Sequence, residues 1–215
     1  MCGRFSFIKK NKKEILSRFR LKEIPQGLVE SAQISPGQNV PAVLNESPTR
    51  LSLVRWGLIP SWAKEEAIGY KTFNARAETI FEKPAFKEAV RRRHCLILSD
   101  GFYEWKKIGK TKECYRITLK KGGLFCFAGI WDVWRNSGRE IKSCSVVTTV
   151  PNSLIAPIHN RMPVILKEHG EEQWLTHLNP EEIEGFFKPY PAEELAAVKL
   201  EKKFAEPLLA EYLFQ

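Results

Sequence analysis

The five cysteines of this 215-residue chain include no CxxC pair, and none of its four histidines stands at zinc-ligand spacing from them. Structural zinc motifs and dithiol redox motifs are therefore excluded. The cysteine count is odd, and Cys95, Cys126 and Cys144 lie inside apolar runs. They read as small core hydrophobes in a reducing cytoplasm, without disulfides. Long apolar runs are missing too, so no membrane span is expected. The opening MCGRFSFIKKNKK has no apolar h-region. Neither a signal peptide nor a lipoprotein role for Cys2 is expected. Internal repeats and low-complexity segments are absent.

What is present suits one globular domain over residues 1–215. A hydrophobic fraction of 43% supplies a core, and 27% charged residues gives no indication of long disorder. Lys and Arg number 34 against 25 Asp and Glu, a net charge of +9. Such an excess favours polyanionic partners through surface potential and says nothing of fold.

Strand patterns cluster in the middle of the chain. LSLVRW alternates and breaks at Pro60. CLILS and FYEWKK flank an Asp100-Gly101 turn. CYRITLK, GLFCFAGIWDVW, KSCSVVTT and RMPVILK follow. Helical patterns sit mainly toward the ends: Phe7–Leu21, Lys83–His94, EEQWLTHL and EEIEGFF after Pro180. This order predicts an α+β fold with a mostly antiparallel, barrel-like β core flanked by helices. Motifs fall within 2–166, and 167–215 is expected to be a helical C-terminal part.

Four places could carry chemistry. If Met1 is removed, Cys2 presents a free α-amine beside its thiol. The α-amine titrates near 7.7–8.0, so part of it is nucleophilic at neutral pH. Such an amine forms a Schiff base with an aldehyde, and the thiol then closes a five-membered thiazolidine. A thiolate attack on an amide suits the same residue, and so does an idle, frayed terminus. In FNARAE, an extended chain turns Asn74, Arg76 and Glu78 to one face. Arg76 offers a forked donor for phosphate, or else a local partner for Glu78. In DGFYEW, Glu104 shares a strand face with Phe102, and Tyr103 and Trp105 take the other. Desolvation there would raise its pKa toward proton-transfer work; an edge strand would leave it in water. His159, in IHNRMP, precedes an apolar strand and is the strongest histidine candidate. Trp56 and Trp62 flank GLIPS, which reads as a loop of exposed aromatics on which bases could stack.

MCGRF, SPGQ, WGLIPSW, FNARAET, SDGFYEW, FAGIW, VVTT and IHNRMPVIL occur in this order. Together they resemble the SRAP family of SOS response-associated peptidases, understood as abasic-site processing proteins. The resemblance implies loss of Met1 and a covalent thiazolidine between Cys2 and the ring-opened aldehyde of an abasic site in single-stranded DNA. That link would shield the lesion from strand cleavage during the DNA damage response. It further implies that Asn74 holds the reacting end, that Glu104 moves protons during ring opening, and that His159 stabilises the sugar and assists reversal. Arg4, Arg76 and Arg161 are implied as DNA contacts, with Pro36 and Trp62 in motifs that hold the bent strand. No metal or organic cofactor is implied. A monomer in the cytoplasm, associated with the nucleoid in a bacterium, is expected, with replication machinery as a further candidate partner. Two rivals remain. An N-terminal-nucleophile amidotransferase also begins Met-Cys-Gly, but needs a downstream Asn-Gly, which this sequence lacks. A single-strand-binding module would need no covalent chemistry.

Overall fold

The computed structural model describes residues 2–8, 12–28 and 30–201. In chain order they form β1 (Phe5–Phe7), α1 (Lys12–Arg18), β2 (Ser31–Ile34), β3 (Asn39–Leu44), β4 (Leu51–Trp56), β5 (Asn74–Arg76), α2 (Ala89–Arg92) and β6 (His94–Ser99). There follow β7 (Gly101–Ile108), β8 (Thr111–Leu119), β9 (Phe125–Asn136), β10 (Arg139–Thr149), β11 (Met162–Pro163), β12 (Ile165–Leu166), α3 (Glu168–Trp174), α4 (Pro180–Gly185) and β13 (Leu195–Lys199).

Strands β10, β4, β3, β6 and β9 pair in that order, and β9 returns to β10. The sheet therefore closes into a five-stranded barrel, which removes its free edges. Among the described residues only β10–β4 and β10–β5 run parallel; the other pairs are antiparallel. A second sheet, ordered β13-β8-β7-β1-β2, packs beside it. One hydrophobic core draws on both sheets, from Cys2 to Leu195. Phe5 is its hinge point. The ring lies edge-on to Trp56 at 4.9 Å and to Phe127 at 5.5 Å, so the N-terminal strand is bolted to the barrel by aromatic packing.

Two glycines mark places where backbone or core leaves no room. A Cβ on Gly129 would sit 2.6 Å from Cys95 Sγ, inside the barrel. Gly57 has φ +128°, and a Cβ there would sit 2.5 Å from the Gly69 carbonyl oxygen. This close approach seats the loop between β4 and β5.

Several expectations change here. Of Lys83–His94, only Ala89–Arg92 is helical; His94 begins β6 and stacks on Trp174 at 4.5 Å. Residues 167–201 are not purely helical, because β13 adds an edge to the second sheet by pairing with β8. The rest of the expected C-terminal part, 202–215, lies outside the described residues. Among the described residues no helix is long and apolar enough to cross a membrane.

Candidate active site

Strand β10 acts as the ruler of the site. Its end pairs on one side with β5, setting Val146 opposite Asn74 and Thr148 opposite Arg76. On the other side it pairs with β11, setting Thr149 opposite Met162. Asn74 and the His159 loop are thus brought to the same end of one strand, although 85 positions separate them in sequence (159 − 74). The second sheet supplies the rest. Phe5 pairs with Phe102, and the Tyr103 N–H donates to the Arg4 carbonyl at 2.9 Å. Residues 2–4 consequently run beside Glu104.

Cys2 is fully buried. Its carbonyl accepts from Asn74 Nδ2 at 2.8 Å, and its thiol faces the Arg4 carbonyl at 3.7 Å. The other amide atom, Asn74 Oδ1, is buried with no hydrogen-bond partner among the described residues. A ligand hydroxyl or amine would satisfy it. Burial raises the Cys2 thiol pKa well above its ordinary 9.0, and the Glu104 charge adds to the effect. The thiol is therefore protonated at neutral pH.

Glu104 is 1% exposed. Burial pushes its carboxyl from the ordinary 4.5 up to about 7, against the pull of the Trp105 backbone N–H. At pH 7 it is present in both protonation states, which suits a group that must give and take a proton. The solvated edge-strand alternative is thereby removed. The alternation in DGFYEW also holds: Phe102 enters the main core, while Tyr103 and Trp105 form a separate cluster with Cys114.

His159 Nδ1 lies 3.9 Å from Glu104 Oε2. This is not an ion pair. Burial lowers the His159 pKa, so the ring is neutral at pH 7. Nδ1 lies 3.0 Å from the Arg161 backbone nitrogen and 3.1 Å from the Arg161 carbonyl oxygen.

The expected DNA contacts divide. Arg76 is exposed and makes no ion pair among the described residues. Trp62 is 58% exposed. Arg4 is fully buried, with Nη1 3.4 Å from the Gly3 carbonyl, so it does not present its guanidinium at the surface. Pro36 is likewise buried. Trp56, expected exposed, is fully buried and donates Nε1–H to the Phe73 carbonyl at 2.8 Å. Arg161 grips Glu78 through two hydrogen bonds, at 2.5 and 2.9 Å, and reaches the Thr148 carbonyl at 2.5 Å. Glu78 pairs with Arg161 and not with Arg76, because the chain turns into a 3-10 helix at Ala77 and the strand alternation ends.

One group escaped the sequence reasoning. Asp100 accepts from the Ser6 hydroxyl at 2.6 Å, the Ile8 N–H at 2.8 Å and Arg116 at 3.2 Å. It pins β1, and so the approach of Cys2 to the site. Only its turn-forming place before Gly101 was visible in the sequence.

The closed barrel and the second sheet thus bring together a buried cysteine, a desolvated carboxylate and a neutral histidine. The SRAP family model, described as SOS response associated peptidase, matches residues 1–207, and the chain belongs to this family. The abasic site processing protein YoqW of Bacillus subtilis (strain 168) is 41% identical over 214 residues, covering 96% of this chain and 95% of the relative. The abasic site processing protein YoaM of the same organism is 42% identical over 214 residues, covering 96% and 94%. A crystal structure of a Bacteroides thetaiotaomicron protein superposes with a TM-score of 0.88 at 32% identity, covering 95% of this chain and 94% of the other.

Proposed function

We propose that the protein processes abasic sites in single-stranded DNA by trapping the sugar aldehyde on Cys2 after Met1 is removed. The observation that carries this is the convergence of Cys2, Asn74, Glu104 and His159, from four separate segments, around one buried thiol. Membership of the family, and the relatives named abasic site processing proteins, support it.

The chemistry balances without a cofactor. The α-amine adds to the aldehyde carbon of the opened sugar, and the resulting carbinolamine loses water to give an imine. Protonated Glu104 supplies the proton that leaves with the hydroxyl. The Cys2 sulfur then adds to the imine carbon, its proton passing by way of the Glu104 carboxylate to the nitrogen. One aldehyde, one amine and one thiol become a thiazolidine and one water. Neutral His159 donates a ring N–H to a sugar oxygen. Asn74 holds the Cys2 carbonyl and so the direction of the amine. Ring closure removes the imine from which strand cleavage by β-elimination would proceed. Arg76 contacts a phosphate, and Trp62 stacks on a base. Residues 1–215 act as one domain and as a monomer, and contacts with the replication machinery are a further role.

The test is a denaturing gel of the protein incubated with an abasic single-stranded oligonucleotide. A shifted, denaturant-resistant band is expected from processed protein and no such band from chains that retain Met1. Equal crosslinking by both forms would refute the aminothiol mechanism. No band from correctly processed protein would refute the function.

A further inference from the structure

After Trp56 the chain leaves β4 and crosses the outside of the barrel before β5 begins. Trp62 stands on this crossing. Gly129 faces the barrel interior, so strand alternation turns Asp132 and Trp134 of β9 to the outer face. Ser143 and Ile141 of β10 lie directly opposite them and share that face. The crossing is fastened there at alternate residues. The Ile59 N–H donates to Ser143 Oγ at 2.7 Å, and the Ser61 N–H donates to Asp132 Oδ2 at 3.0 Å. Trp134 Nε1–H donates to the Ala63 carbonyl at 2.7 Å. The Ala63 N–H closes a tight turn onto the Pro60 carbonyl at 2.9 Å. Ile59, Ala63 and Trp134 form a small core of their own beneath the turn, with Ile68 and Ile141 packed against them.

Two features go beyond what burying a loop requires. First, the fastened groups bracket a single residue. Ser61 is held by its N–H and Ala63 by its carbonyl, so the backbone on both sides of Trp62 is fixed. The Trp62 ring is nevertheless 58% exposed. A large ring left in water adds little to the core, so these bonds fix a position and not a packing contact. Second, the clamp is compatible with a polyanion. Asp132 is 4% exposed and also accepts from the Val133 N–H at 2.7 Å. Arg93 lies 3.2 Å from its Oδ1 and balances the charge.

We propose that Asp132 and Trp134 are positioning residues that hold Trp62 in place to stack on a base of the single strand. This rests on the single-strand function proposed above and deepens it at one contact. Both residues act through Trp62 and neither touches DNA. A loose turn has to be ordered each time a base stacks on it. Ordering the backbone of one residue costs a factor of roughly 5–30 in affinity. The clamp meets that cost during folding, before DNA arrives. The fixed ring serves any base, because every base has a π-face.

The test is a double-mutant cycle read by fluorescence anisotropy with an undamaged single-stranded oligonucleotide. Asp132→Ala should weaken binding roughly 5–30-fold while Trp62 is present, and less than about twofold in a Trp62→Ala background. Trp134→Phe keeps an aromatic ring in the small core and removes the N–H that holds Ala63. It should show the same dependence on Trp62, and it carries the test if Asp132→Ala does not fold. A merely structural clamp would lower the melting temperature in both backgrounds without tying the loss of affinity to Trp62. Equal weakening in both backgrounds would overturn the proposal, and so would unchanged affinity in both variants beside intact Trp62. Failure of the wild type to bind the oligonucleotide would overturn the single-strand function itself, a result distinct from either.

Discussion

Replacing Glu104 by Gln keeps the shape of the side chain and removes its titration. The carboxyl has a folded pKa of about 7 against an ordinary 4.5. Below pH 4.5 it is protonated whether the chain is folded or not, and it contributes nothing to pH dependence. Between 4.5 and 7 the unfolded chain releases the proton and the folded chain keeps it. Wild-type stability therefore falls as pH rises through this window and levels off above it. A displacement of roughly 2.5 pH units at about 1.4 kcal/mol each gives a loss of roughly 3 kcal/mol. The Glu104→Gln variant has no such loss. His159 titrates in the opposite sense, since its lowered pKa favours the folded state as pH rises. Its contribution is opposite in sign and is removed from the comparison by measuring the same pair of proteins in a His159→Gln background.

The assay is urea unfolding of both proteins from pH 4 to 8.5. The stability of the Glu104→Gln variant relative to wild type should climb by roughly 3 kcal/mol, most of it between pH 5 and 7, or by roughly 6–12 °C in thermal midpoint for a domain of this size. The same substitution should slow crosslinking by about 10²–10⁴-fold, the usual loss on removing a general acid–base. A difference that stays flat within about 0.5 kcal/mol over the whole range would show that Glu104 titrates like a solvated carboxylate. The desolvated-acid account of the site would then be wrong.

Trp62→Ala should weaken binding to single-stranded DNA by about 1–3 kcal/mol, the worth of one stacked base, and leave the unfolding midpoint almost unmoved because the ring is exposed. Asn74→Ala should lower the yield of the covalent band more than the affinity for undamaged DNA, since its amide holds the Cys2 carbonyl and not a phosphate. Iodoacetamide should modify native Cys2 far more slowly than the unfolded chain at pH 7.5, as read by mass spectrometry; comparable rates would contradict the raised thiol pKa. Gly57→Ala should destabilise by at least about 1–3 kcal/mol in denaturant titration, from positive φ and the contact with Gly69 together.

The sequence pattern carried the alternation of Phe102, Tyr103, Glu104 and Trp105, because two-residue periodicity is a local property of a strand. It carried the clustering of strands for the same reason. It did not carry which strands are paired on both sides. Arg4 and Trp56 both stand in short motifs that read as surface, and both are buried. Arg4 is held against β7 by the Tyr103 N–H on its carbonyl, and Trp56 ends β4 against the ring of Phe5. Trp62 is only six positions on, yet open, because the loop has left the barrel by then. Strand β13 was invisible: LAAVK has one β-branched residue, and its extension comes from pairing with β8. The meeting of Glu104 with His159 depends on two different sheets, so no window along the chain contains it.

In the proposed mechanism, burial of Cys2 also orders the chemistry. A reactive cysteine ordinarily lies in an electropositive, partly exposed place that favours the thiolate. Here burial and the charge of Glu104 both hold the proton on sulfur. A thiol in that state is a poor first nucleophile toward an amide or an aldehyde, which weighs against an amidotransferase. An amine does not need the same activation. Once it has formed an imine, the electrophilic carbon lies within a five-membered ring's reach of the sulfur, and closure becomes intramolecular. The weak thiol is then sufficient, and Glu104, half ionised near neutral pH, is the group able to take its proton. The features that make Cys2 inert as a thiolate are those that favour amine first and sulfur second.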